Sequence, residues 1–179
     1  MKKILVLLAI MLLLLTACET EQGPYRPPTR ESRLTGNMTK VDPADDPYPP
    51  IMNSTGWQKP IPVSYLINTP GAEDSAFVTP DGKELYFFFT PDPNISPEKQ
   101  LLDEVTGIYV SKKVNGEWSY PTRVMLQKQG KLALDGCEFV QGDRMWFCSA
   151  REGYTGVNFF IAQRINNEWK NPVYAGDKL

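Results

Sequence analysis

Apolar residues in this chain cluster in short runs set between turn residues, and the runs come in two matching sets. Leu85 to Phe89 is unbroken, Leu-Tyr-Phe-Phe-Phe, which predicts a strand (Glu84 to Thr90) buried on both faces. It follows a first strand near Ser75 to Thr79 across Pro80-Asp81-Gly82-Lys83, where Asp-Gly accepts the positive φ of a tight hairpin. Ile108 to Val114 and Trp118 to Met125 form a second hairpin about Asn115-Gly116. The whole pattern then returns. Setting Phe87 on Phe147 places Leu85 on Met145, Tyr86 on Trp146 and Gly82 on Gly142. Gly107 to Pro121 likewise matches Asn158 to Pro172, with Trp118 on Trp169. The repeating unit is therefore four antiparallel strands, at about 72–126 and 133–176. Upstream, Gly56-Trp57-Gln58-Lys59-Pro60 repeats the last turn, and Trp57 to Ile67 is expected to be one leading edge strand, with Pro60 and Pro62 unable to donate to a ladder.

Between the hairpins of the first unit, Pro91 to Thr106 is a longer loop with room for one helical turn, Ser96 as cap and Pro97 at its first position. In the second unit a two-residue turn at Gly142-Asp143 sets Cys137 opposite Cys148. That spacing suits a disulfide in an exported chain, and two buried free thiols fit the same pattern. Tyr86 and Trp146 read as packing residues.

The first 18 residues are a different kind of sequence. Lys2 and Lys3 precede an apolar run from Ile4 to Leu15, the length of a signal-peptide core and too short to span a bilayer. Leu15-Thr16-Ala17-Cys18 resembles the lipobox of bacterial lipoproteins, which implies lipidation of Cys18 and a membrane partner through that anchor. Glu19 is not the Asp associated with retention at the inner membrane, so the resemblance favours the outer membrane. Residues 19–50 are polar, carry Pro24, Pro27, Pro28, Pro43 and Pro47, and show no apolar period. They read as a stiff, disordered tether that packs against nothing. Residues 51–179 are left for the β domain.

Losing the leader takes 19 basic residues to 19 − 2 = 17 against 21 acidic, a net charge of 17 − 21 = −4, which argues against nucleic acid as a partner. The chain has no histidine. Ser-His-Asp and Cys-His catalysis and His-ligated zinc are excluded with it, and nothing in the sequence calls for a metal or other cofactor.

Pro80-Asp81-Gly82-Lys83, Leu85-Tyr86-Phe87, Ile108-Tyr109-Val110-Ser111 and Trp118-Ser119-Tyr120-Pro121 resemble the TolB-type β-propeller repeat. The second copy carries a weaker form in Gln141-Gly142-Asp143, Met145-Trp146-Phe147 and Trp169-Lys170-Asn171-Pro172. The resemblance implies an all-β fold of two propeller-like blades plus a leading strand, fewer than the four to eight blades that close a ring. A truncated propeller, a ring completed by a homo-oligomer and a two-sheet sandwich all stay open. It also implies that first strands line a channel, which would make Glu73, Asp74, Asp135 and Glu138 candidate ligand-binding acids. Arg151, at a rim, is a candidate anion contact or a structural ion-pair member. Two functions follow: a lipid-anchored binding or scaffold protein for an envelope protein or glycan, with no catalytic residue, or a glycan hydrolase or lyase using two of these carboxylates.

Overall fold

The structure, a computed structural model, describes residues 25–176 apart from 37, 41, 42, 50 and 129. The leader and Cys18 lie outside the described residues. The chain is all-β, with nine strands in two antiparallel sheets among the described residues. The first sheet, or blade, holds β1 (Ala72–Val78), β2 (Glu84–Thr90) and β3 (Gly107–Val114), with an outer edge split into β4 (Glu117–Trp118) and β5 (Thr122–Arg123). Ser119 to Pro121 separate these two pieces, so the expected single outer strand is broken, whereas the matching Pro172 lies inside an unbroken strand of the second blade. The second blade is a four-strand meander, β6 (Ala133–Gln141), β7 (Arg144–Arg151), β8 (Asn158–Ile165) and β9 (Glu168–Tyr174). Among the described residues there are two short helices, α1 (Arg30–Arg33) and α2 (Pro97–Leu102), the latter in the loop where one turn was expected.

Both first hairpins break register at the same place. Asp74 pairs with Phe88 and Phe77 with Tyr86, so two residues, Ser75 and Ala76, oppose Phe87 alone. In the second blade Gly136 pairs with Cys148 and Phe139 with Trp146, leaving Cys137 and Glu138 opposite Phe147. Ser75 and Cys137 adopt φ of 54° and 53°, the left-handed conformation at which a bulge turns the strand. The bulge corrects one expectation. Gly136, not Cys137, lies opposite Cys148, and both cysteines are free.

The blades stack face to face in the same sense. Alternation along β7 and β8 turns Met145, Phe147, Phe160 and Ala162 onto Tyr86 and Ile108 of the first blade, forming one apolar core with Val124, Leu126 and Val140. The two equivalent phenylalanines at the start of this contact, Phe77 and Phe139, meet edge to face at 5.0 Å between ring centroids. A second core covers the far side of the first blade: Leu85, Phe87, Phe89 and Tyr109 with Ile67, Val105, Leu34 and Trp118. β2 is thus buried on both faces, as its unbroken apolar run predicts. Two stacked four-stranded blades make an incomplete propeller-like fold.

Two other expectations are corrected. Trp57 to Ile67 forms no strand; Trp57 is 77% exposed, and only Ile67 reaches a core. With Pro60 and Pro62 in it, this stretch has too few donors to extend a sheet. The proline-rich segment is also more than a tether, because α1 docks on the first blade. Thr29 caps it by accepting from the Ser32 N–H at 3.3 Å, and Arg30 beside it is 1% exposed.

Candidate functional site

Equivalent positions in the two blades carry the same cluster. Because Phe87 matches Phe147 in the hairpins and Tyr109 matches Phe160 across the next ladder, Glu73 falls on Asp135. In the second blade the Arg151 guanidinium lies 5.3 Å from the Phe147 ring and 4.4 Å from the Phe160 ring, and donates to Asp135 Oδ1 at 2.7 Å and Ser149 Oγ at 2.9 Å. Ser149 Oγ itself donates to Asp135 at 2.6 Å. In the first blade the same place is filled by Arg30, 5.5 Å from the Phe87 ring and 5.3 Å from the Tyr109 ring, with Glu73 Oε1 at 3.9 Å. Arg30 also donates to the carbonyls of Leu66 and Ile67. Glu73 accepts from Lys40 and from the Thr69 N–H and hydroxyl, the latter at 2.5 Å. These contacts brace each blade separately, the first against the segment that precedes it. Asp135 accepts from Ser149 and Arg151, and Glu73 from Lys40 and Thr69, so these side chains are engaged with groups of their own chain.

The other two acids are placed differently. Asp74 is exposed and accepts from the Ser75 N–H at 2.6 Å. Glu138, turned inward by the bulge, is 5% exposed and neither of its carboxyl oxygens has a hydrogen-bond partner. Burial, with the Asp74 charge adding to it, pushes the Glu138 carboxyl up to about 8, so it carries its proton at neutral pH. On β7, burial and then the Cys137 thiol raise Cys148 to about 11. Among the described residues no group of three or more acids or cysteines is arranged to hold a metal ion.

The concave surface lies elsewhere, along the connection between the blades. Two cavities, of about 690 and 720 Å³, adjoin along Met125, Gln127, Lys128, Lys131, Leu132 and Ala133, which line both, and are together termed the groove. Tyr25 and Tyr120 line one end, Tyr154 and Trp169 the other. Each end is braced. Tyr25 donates to Glu104 Oε1 and Tyr120 to Glu31 Oε2, both at 2.6 Å, so the N-terminal segment shapes one wall. Arg123 donates to the carbonyls of Glu104 at 2.5 Å and Thr106 at 2.7 Å, tying the long loop into the same wall. Lys131 pairs with Glu152 at 2.7 Å across the other. Most of the charge here is thus paired, and the free surface is aromatic rings, methylene and amide. Reasoning from sequence missed this groove, because 125–133 reads only as a link. The signal available was the pair Tyr120 and Tyr154, bulky rings just outside strands.

No protein-family model, curated protein or solved structure matches this chain. Fold and groove together define a class: a two-blade, propeller-like all-β domain with an aromatic-lined groove.

Proposed function

We propose that this chain is a TolB-like envelope lipoprotein, anchored through Cys18 and exported to the outer membrane, whose domain binds an extended envelope glycan or polypeptide along the groove between its blades. The observation that carries the reading is the groove itself. It is open and lined by five aromatic residues, Tyr25, Tyr109, Tyr120, Tyr154 and Trp169, while Asp135, Glu73 and Arg151 are engaged in contacts within the chain. Aromatic faces beside amides and paired charges suit sugar rings or extended peptide more than a compact anion. No metal or cofactor enters this function, and nucleic acid is not its partner.

Binding is tested by titrating solubilised peptidoglycan fragments and, separately, extended peptides onto the chain that begins at Glu19. Tyr120→Ala and Tyr154→Ala should each weaken the productive ligand about tenfold or more. No saturable binding by either class would remove the reading. Anchoring is tested separately: Cys18→Ala should abolish acyl labelling and release the protein from the membrane fraction.

A second reading has one observation in its favour. Asp74 and Glu138, from the first strands of adjacent blades, are one exposed carboxylate and one buried, protonated acid, the split that acid–base cleavage of a glycosidic bond requires. Against it, neither residue lines the cavities described above. Turnover of a polysaccharide that is lost in both Asp74→Asn and Glu138→Gln would establish it; no cleavage across the pH range would dismiss it.

A further inference from the structure

Among the described residues, nothing packs on one face of the second blade. Alternation puts Trp146 and Cys148 of β7, Phe159 and Ile161 of β8 and Val173 of β9 on the side away from the first blade, and Phe159 and Val173 are 49% and 57% exposed. By position this is the same face that the first blade presents to the second. There Tyr86 and Ile108, the equivalents of Trp146 and Phe159, are covered completely. The apolar pattern of the repeat is thus one meant to be covered.

We propose that this face is where two copies of the chain meet, face to face, as a symmetric dimer. Copies cannot instead stack in the sense that the blades do, for two reasons. The complementary face, on the far side of the first blade, is already sealed by Arg30, Leu34 and Ile67. The charges are wrong as well. Between the blades, Arg164 donates to Glu84 Oε2 at 2.6 Å and to the Tyr86 hydroxyl at 2.7 Å. On the free face those acceptors are replaced by Arg144 and Trp146, while the first-blade counterpart of Arg164 is Lys113. A copy stacked in that sense would bring lysine to arginine with no acceptor between them. Face-to-face pairing with the strands of the two copies running oppositely avoids this, because it sets the two Arg144 ends apart by about a strand length, beyond the roughly 8–10 Å over which exposed charges interact in physiological salt.

Size sets the expected strength. Four strands about 4.8 Å apart and seven residues of about 3.3 Å each give a face of roughly 19 by 23 Å. Two such faces bury on the order of 1,000 Å², the low end for a specific interface and the range of reversible association. This inference goes beyond the groove and does not depend on it.

The test is sedimentation equilibrium of the chain that begins at Glu19, which keeps every residue described above. A concentration-dependent monomer–dimer equilibrium in the micromolar range is expected. Phe159→Glu and Val173→Glu change half-exposed side chains outside both cores, so each should fold, as thermal melts would verify, and should weaken dimerisation a hundredfold or more. A monomer at every concentration overturns the proposal, as does a dimer that survives both changes. Species larger than a dimer that depend on Arg144 would also overturn it, in favour of stacking in one sense.

Discussion

Arg30 and Arg151 stand in the same place in the two blades, each guanidinium laid over a pair of matched aromatic rings and turned toward a matched carboxylate, although they reach it from unrelated parts of the chain. The second blade supplies its own arginine from the end of β7. The first borrows one from the segment before it, 36 or more residues away.

That borrowing gives Arg30 an energetic role the proline-rich segment would not otherwise have. Arg30→Ala leaves the Leu66 and Ile67 carbonyls without their donor and uncovers Phe87 and Phe89, and should cost about 2–4 kcal/mol. Arg30→Lys keeps the charge without the planar fork and should recover only part of it. Urea midpoints of the two variants against the parent chain decide the matter; an unchanged midpoint would return this segment to the status of a tether.

Glu138 makes stability depend on pH in an unusual direction. Its folded-state value of about 8 lies above the ordinary 4.5, so between these values the folded chain holds a proton that the unfolded chain has released. Stability from this group is complete below about pH 4.5, declines as pH rises, and is lost above about 8. Urea unfolding at pH 5, 6.5 and 8 should show the decline in the parent chain and a flatter profile in Glu138→Gln.

Between the blades one hydroxyl serves three neighbours. The Tyr86 hydroxyl donates to Glu84 Oε2 at 3.0 Å and accepts from Arg164 at 2.7 Å and from Trp169 Nε1 at 3.1 Å. Burial raises the phenol far above its usual range, so it remains protonated throughout. Tyr86→Phe keeps the ring and strands both donors, which should destabilise the domain by about 1–3 kcal/mol. Chemical denaturation would measure it, and a neutral result would show that water replaces the hydroxyl.

The thiols should differ in reactivity. Cys137 is exposed in its bulge, whereas burial and its neighbour hold Cys148 up to about 11. Alkylation with iodoacetamide near pH 8, followed by peptide mass analysis, should label Cys137 well before Cys148. Equal rates would mean that the bulge opens in solution.

What could be read in advance follows from how local each cause is. Pro80-Asp81-Gly82 and Asn115-Gly116 announce their hairpins because the turn needs those residues themselves, and the five apolar residues of β2 announce burial on both sides. The bulges are silent. Ser75 and Cys137 hold left-handed φ without being glycine, so a simple two-residue pairing was the natural reading and set Cys137 against the wrong partner. Trp57 to Pro60 copies the Trp–Pro ending of a blade, yet no neighbouring strand receives it. Glu73, Asp74, Asp135 and Glu138 do lie on β1 and β6, but which of them carries a partner was not local: Glu73 is met by Arg30, Lys40 and Thr69, all from outside the repeat, and Asp135 by Arg151, while Asp74 and Glu138 are met by none of these. α1, a four-residue helix, has no apolar period to find.

The order in which the chain leaves the ribosome gives that helix a kinetic position too. Its docking surface consists of Phe87, Phe89, Tyr109 and Tyr120, and its contact from Glu31 to Tyr120 spans 89 residues. The earliest-made part of the fold therefore has to wait for β2, β3 and the residues after them before it can settle, and closing so long a loop is slow. Until then one side of the first blade is bare aromatic surface, a chaperone substrate and a hazard for pairing with the wrong chain. Pulse-labelled hydrogen exchange during refolding should protect the amides of β2 and β3 before those of Ser32 to Leu34.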